Sequence, residues 1–253
     1  MKIGAQTYTV RDYCRDVPSL ERSLERIAAA GYSSVQLSGV CEYDPARTDR
    51  LLKSLGMTVD LTHFNYQKII SEPKEVIAFH DRMGCKYIGI GSCPHSRDLE
   101  GFERMLSELE RVLPFYASAG RKIMYHNHNF EFAKFGGVTL FDILCSHADP
   151  DRLGITLDAY WAQAGGADAV QLIEKYPEHI RCVHLKDMVY DPTDRAIRMA
   201  PVGEGNMNYK AIIAACIKNS VEYAFVEQDN CYGADPFDCL KLSLENINRY
   251  NCV

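Results

Sequence analysis

GITLDAYWAQAGGADAVQLIEKYPEHIRCVHLK, residues 154–186, decides the fold. It opens on a short β-prone run, GITLDAY (154–160), passes through a helical stretch, ADAVQLIEKYP (167–177), and returns to a second β-prone run, RCVHLK (181–186). Strand, helix and strand in about thirty residues make a βαβ unit, which places the two strands parallel in one sheet. Both strands also end on polar chemistry. Asp158 closes the first, and His184 with Lys186 closes the second.

Outward from this unit the same alternation covers the chain. Six further β-prone runs are IGAQTYTV (3–10), SVQLSGV (34–40), TVDLTHF (58–64), YIGIGS (87–92), KIMYHNH (122–128) and YAFVEQ (223–228), making eight. Helical patterns separate them. PSLERSLERIAAAG (18–31) has Pro near its start and Gly at its end, the usual asymmetry of helix signals. The long pattern over 98–120 contains Pro114, which is expected to break or kink it. Eight strand–helix units in 253 residues predict an α/β fold, a (β/α)8 TIM barrel, with residues 1–253 as a single domain. A doubly wound sheet is the competitor, but no GxGxxG phosphate loop follows the first strand.

Composition narrows the function. The formal net charge is −6 and no Lys/Arg stripe interleaves with aromatics, which argues against nucleic acid as a partner. No signal-like apolar core opens the chain and no apolar run reaches about 18 residues, so no membrane association and a cytoplasmic location are expected. Ten Cys occur without a CxxC pair, in a chain large enough not to need staples, so reduced structural thiols are expected, Cys85, Cys145 and Cys216 among them. Nothing in the composition speaks against a homo-oligomer.

Barrel active sites lie at the C-terminal ends of the strands. Those ends carry Gln6, Gln36, His63 with Asn65, then His126, His128 and Glu131, then Asp158, His184 with Lys186, and Glu227 with Asp229. Glu131, Asp158, His184 and Glu227 follow one another at intervals of 27, 26 and 43 residues, about one βα unit each with a longer last loop. Residues so spaced become neighbours at a barrel mouth. Burying such groups together is costly unless a cation compensates, and a mixed oxygen and nitrogen set suits one divalent ion, Mn, Mg, Co or Zn.

Each residue also has a structural explanation. Asp158 could cap the following turn, His184 could be a hydrogen-bonded core histidine, and Glu227 could pair with a Lys or Arg. Trp161, the only Trp, is either a sugar platform or core packing. His126 and His128 are two apart on one strand face. Lys186 bears the same relation to His184 and would share the site unless it is a solvated rim charge. Asp187 and Asp229 are expected to cap loops, and Gly203 and Gly205 to shape a turn, with a phosphate cradle as the alternative.

The chain resembles the sugar phosphate isomerase/epimerase family, the xylose-isomerase-like barrels that include keto-sugar 3-epimerases and inosose dehydratases. The resemblance is carried along the whole length by IGAQTYTVRD, GYSSVQLSG, YHNHNFEF, LDAYW, AGGAD, YPEHIRCVHLKDM, PVGEGNMNY and VEQD. It implies one divalent metal held by Glu, Asp, His and Glu, with Asp158, His184 and Glu227 on that pattern. The first ligand departs from it. The family's strand-end Glu is replaced by Tyr125-His126, so either Glu131 folds back, or His126 or His128 substitutes.

The resemblance further implies chemistry on a keto-sugar or polyol through an enediolate. Glu227, with Glu131 or His126, would handle the proton, and Lys186 would assist. His63, His128 and Trp161 are the expected substrate contacts. Isomerisation or epimerisation is the first expectation. A dehydratase or lyase of the inosose-dehydratase type, or a keto-glycoside eliminase subunit, is the second. A DNA-repair endonuclease would want more ligands and a basic face, and a sugar-binding protein without catalysis is the remaining class.

Overall fold

In the computed structural model, which describes residues 1–250, the eight β-prone runs form a closed parallel barrel. Its strands are β1 (Lys2–Gln6), β2 (Ser34–Leu37), β3 (Thr58–His63), β4 (Tyr87–Ile90), β5 (Lys122–His126), β6 (Leu153–Asp158), β7 (Ile180–Leu185) and β8 (Tyr223–Val226). Each strand pairs with its neighbours in sequence, and β1 closes on β8 with Lys2 opposite Tyr223. The connecting helices are α1 (Val17–Ala29), α2 (Pro45–Ser54), α3 (Pro73–Asp81), α4 (Leu99–Glu110), α5 (Leu140–His147), α6 (Ala169–Lys175), α7 (Tyr209–Lys218) and α8 (Pro236–Tyr250).

Local chemistry sets the boundaries. Asp16 caps α1 by accepting from the Ser19 amide, Ser19 Oγ returns the bond, and Gly31 at φ +102° turns the chain away. The long helical pattern breaks between Glu110 and Leu113. Pro114 then lies in the first turn of the short helix Leu113–Ser118, where its missing N–H costs nothing. One expectation is corrected: β1 ends at Gln6, and Thr7–Tyr13 is a 3-10 helix. The Gln6 side chain accepts from the Tyr8 amide at 2.7 Å, and this local cap overrides the β-propensity of TYTV.

Side chains alternate across each strand, which divides the core into two. Residues such as Val35, Ile88, Ile123, Ile155 and Val183 pack outward in the layer shared with the helices. Each fully buried aliphatic side chain contributes roughly 1.5–3 kcal/mol to that layer. Leu61, Tyr87, Met124, Cys182 and Phe225 pack together separately, inside the barrel. One step of two residues further along these strands lie His63, Gly89, His126, His184 and Glu227. The mouth is thus the next layer up from an apolar plug. Gly89 is required there, because a Cβ would lie 2.3 Å from the Thr62 carbonyl and 2.9 Å from the His63 ring.

Two antiparallel hairpins decorate the loops after β5 and β7: Lys134–Phe135 with Val138–Thr139, and Asp187–Asp191 with Ala196–Ala200. Asp187 ties the second in place. Its carboxylate accepts from the amides of Met188, Gly203, Gly205 and Met207. The PVGEG amides are therefore spent on a loop anchor. Among the described residues nine cysteines are free thiols, Cys85, Cys145 and Cys216 buried among them, while Cys252 lies outside those residues. No described helix is long and apolar enough to cross a membrane.

Candidate active site

The mouth gathers His126 from β5, Asp158 from β6, His184 from β7 and Glu227 just past β8. One ligand atom from each lies within 4.8 Å of the others, and all four residues are buried. The outer nitrogen of each imidazole is committed to an oxygen acceptor. His126 Nδ1 faces the Gly91 carbonyl at 3.0 Å, an atom that can only accept, so Nδ1 carries the hydrogen. Its Nε2 then presents a lone pair to Asp158 Oδ2 at 3.1 Å. His184 repeats the device. Its Nε2 donates to Gln36 Oε1 at 2.6 Å, and Nδ1 points a lone pair at Glu227 Oε2, 2.9 Å away.

Nδ1 of His184 is buried and makes no hydrogen bond. Lone pairs facing lone pairs at these distances need a shared proton or a cation. Two imidazoles whose outer N–H groups are fixed by oxygen acceptors, beside two carboxylates, are the donor set of a divalent metal site. The residues present fit such an ion.

Neighbouring residues fix the carboxylates. Gln6 Nε2 donates to Glu227 Oε1 at 3.2 Å. Asp158 serves two purposes: Oδ1 accepts from the Trp161 amide at 2.9 Å and starts the short helix Ala159–Ala164, while Oδ2 faces the cluster. Asn127 locks β5 to β6 by accepting from the Asp158 amide at 2.9 Å.

Lys186 reaches into the same centre. Its Nζ lies 3.1 Å from Asp158 Oδ2, 3.0 Å from Glu227 Oε2 and 3.1 Å from Asp229 Oδ1. Burial disfavours the ammonium, but the three carboxylates outweigh it and raise its pKa. Burial would likewise raise Asp158 and Glu227, yet Lys186 and the imidazoles hold both carboxyls well below the usual range. His184 is raised because Glu227 and Asp158 outweigh its burial, whereas burial keeps His126 and His63 low. Asp229 is pushed up to about 7 by burial and by the Glu227 charge.

Above the cluster is a cavity of about 400 Å³, within the range typical for small-molecule sites. His63, His128 and Trp161 line it, as do Lys186 and Arg97. The Trp161 and His128 rings lie 5.5 Å apart, and the Trp161 indole N–H is buried without a partner. Burial lowers the pKa of His128 to about 3, so that ring is neutral.

Glu131 lies elsewhere. Its Oε1 accepts from the Tyr125 hydroxyl at 2.6 Å and its Oε2 from the His128 amide at 2.8 Å. Tyr125 precedes inward-facing His126 and so faces the helices, packing edge-on against Phe102 of α4. A carboxylate bonded to that hydroxyl is on the outer side of the strand. Glu131 therefore does not join the cluster, and His126 takes the place expected of it. Asp229, expected to cap a loop, belongs to the centre. Its signal was its place two residues beyond Glu227, the relation that recruited Lys186 beside His184. Arg97 had no signal, since it comes from an irregular loop.

A closed parallel barrel with a mixed His/carboxylate cluster at its C-terminal mouth defines the class. The chain belongs to the xylose isomerase-like TIM barrel family, whose sequence profile matches residues 24–218. It is 24% identical to an inosose dehydratase of Geobacillus kaustophilus, over 92% of this chain and 90% of that protein. A Lacticaseibacillus casei inosose dehydratase is 23% identical over 71% and 69%. Among solved structures, a sugar phosphate isomerase/epimerase from Parabacteroides distasonis superposes with TM-score 0.82 at 20% identity, covering 98% of this chain and 94% of that one. An L-ribulose 3-epimerase superposes with TM-score 0.73 at 16% identity, covering 100% and 96%. These likenesses show the fold.

Proposed function

We propose that the protein is a metal-dependent isomerase or epimerase that moves a proton α to the carbonyl of a keto-sugar or polyol-derived ketone. The observation that carries this is the convergence of four ligand atoms from His126, Asp158, His184 and Glu227 beneath a sugar-sized polar cavity. Those four residues would hold one divalent ion. Such an ion polarises a carbonyl oxygen and so acidifies the adjacent C–H.

The chain's own groups do the rest. Glu227 is ionised and is held in orientation by Gln6, so its carboxylate can accept the α-proton. Lys186 keeps its ammonium between the carboxylates, where it offsets negative charge developing on an enediolate oxygen. Asp229, bonded to Lys186, is the nearest further carboxyl able to return a proton to another face or carbon. Trp161 and His128 give the sugar a flat wall, with the free indole N–H available to a hydroxyl. Glu131 is too engaged with Tyr125 and His128 to act as the base.

A second reading uses the same residues. If the group β to the carbonyl leaves, the outcome is dehydration or elimination, and Asp229 beside Lys186 supplies the proton to the departing oxygen. The similarity to inosose dehydratases over most of both chains favours keeping it.

The test is metal analysis of the purified protein together with α-proton exchange in deuterium oxide, on a panel of keto-sugars and inososes. Bound metal and exchange are expected, with product analysis separating epimerisation from loss of water. A folded protein that binds no metal and exchanges no proton would sink the proposal.

A further inference from the structure

The segment after β8 brings two thiols together. From Glu227 the chain runs through Gln228, Asp229 and Asn230 to Cys231. It then reverses in a tight turn, closed by the Ala234 amide donating to the Cys231 carbonyl at 3.0 Å. Both central residues have left-handed backbone, Tyr232 at φ +50° and Gly233 at φ +89°, and two such residues in succession fold a chain back on itself. Asp235 then starts α8, accepting from the Phe237 amide at 2.7 Å through its side chain and from the Cys239 amide at 3.1 Å through its carbonyl. The reversal lays Cys231 against the start of α8, where its thiol donates a hydrogen bond to the Cys239 sulfur.

This pair differs from the other thiols. Burial pushes Cys85 and Cys216 up to about 12, and a buried thiol of that kind is inert. Among the described cysteines only Cys239 is held below its ordinary range, by the bond from Cys231, while the same bond raises Cys231. The first proton lost therefore leaves a thiolate with a second sulfur already beside it. Access is one-sided. Cys239 is buried, whereas Cys231 is half-buried and lines a cavity of about 340 Å³ with Arg11 and Asp229.

We propose that Cys231 and Cys239 are a modification site, oxidised to a disulfide by a small aliphatic disulfide that enters this cavity. The Cys231 sulfur attacks one sulfur of the reagent and expels the first small thiol, leaving a mixed disulfide. The Cys239 thiolate then attacks Cys231 Sγ, the protein disulfide forms, and the second small thiol leaves. The two protein thiol protons pass to the two departing thiolates, so one small disulfide is reduced and one dithiol is oxidised. The new bond fastens to α8 the segment that carries Asp229, whose carboxylate meets Lys186 at 3.1 Å and whose carbonyl accepts from Arg11 at 3.0 Å. The oxidation state of the pair is thereby linked to the placement of an active-site carboxyl.

The experiment equilibrates the folded protein and, in parallel, the urea-unfolded chain against graded mixtures of reduced and oxidised glutathione, then blocks free thiols with N-ethylmaleimide. Trypsin releases residues 219–241, which contain Cys231 and Cys239 and no other cysteine. In the folded protein this peptide should pass to a form two hydrogens lighter than the dithiol and closed to the blocking agent. Half-conversion should occur in a mixture at least about tenfold more reducing than the unfolded chain requires. Cys239→Ser should instead stop at the glutathione adduct on Cys231. A folded parent protein that keeps both thiols, that stops at the adduct, or that requires a mixture as oxidising as the unfolded chain does, would overturn the assignment.

Discussion

His126 Nε2 faces Asp158 Oδ2 at 3.1 Å while the other nitrogen of the same ring is committed to the Gly91 carbonyl. The imidazole therefore offers a lone pair to the barrel centre, at the position where the family resemblance implied a glutamate. Replacing His126 by Ala should weaken divalent-metal binding by at least about 100-fold, as loss of a ligand requires. Glu131→Gln should change it by less than about threefold. Competition with a chromogenic chelator measures both, and equal losses would show that Glu131 reaches the ion after all.

The donor set has consequences for ion choice. Two imidazoles and two carboxylates favour Zn, Co or Mn over Mg, because nitrogen donors suit the softer ions. His126→Glu would make three of the four donors oxygen. Its ratio of Zn to Mg affinity should fall by about tenfold or more, read by isothermal titration with each ion.

Glu131 also sets a pH dependence. Burial, only partly offset by the bonds from Tyr125 and His128, raises its pKa from 4.5 to about 7. Between those values the native chain holds a proton that the unfolded chain has released, so stability falls as pH rises through this window. The loss is on the order of 2–3 kcal/mol. Urea denaturation at pH 4.5 and pH 7.5 should show this slope in the parent protein and a flatter one in Glu131→Gln.

Lys186 places its ammonium among Asp158, Glu227 and Asp229. Lys186→Met keeps the length and removes the charge. Turnover on a keto-sugar should drop roughly 100-fold, while the metal still binds, since four ligands remain. Loss of metal together with activity would assign Lys186 a structural role instead.

Asp187 is a loop anchor. Its carboxylate is buried and receives four backbone amides, and Asp187→Ala leaves them unpaired. A loss of about 3 kcal/mol is expected, with protease cleavage appearing first between residues 187 and 207.

Much of this site is legible from strand parity alone. Asp158, His184 and Glu227 each end or follow a strand whose apolar residues show which face is inward, and the structure brings them together. The choice left open between Glu131, His126 and His128 turns on something periodicity cannot encode. After His126 the chain leaves the strand, turns through Phe130–Phe132, and sends the carboxylate back to a tyrosine on the outer face. The hairpin after β7 was expected only as a longer loop, although β-prone residues flank the Asp-Pro-Thr-Asp stretch at its tip.

The two-residue step from plug to mouth makes the molecule unequally tolerant of changes in length. One residue added inside β5 would turn His126 toward the helices and bring Tyr125 or Asn127 inward, while the neighbouring strands kept their aim. A residue added in a loop beyond Asp187 or Glu131 would leave every mouth position where it is. New substrate preferences can therefore arise by lengthening or replacing loops on this face, while the strands keep the chemistry in register.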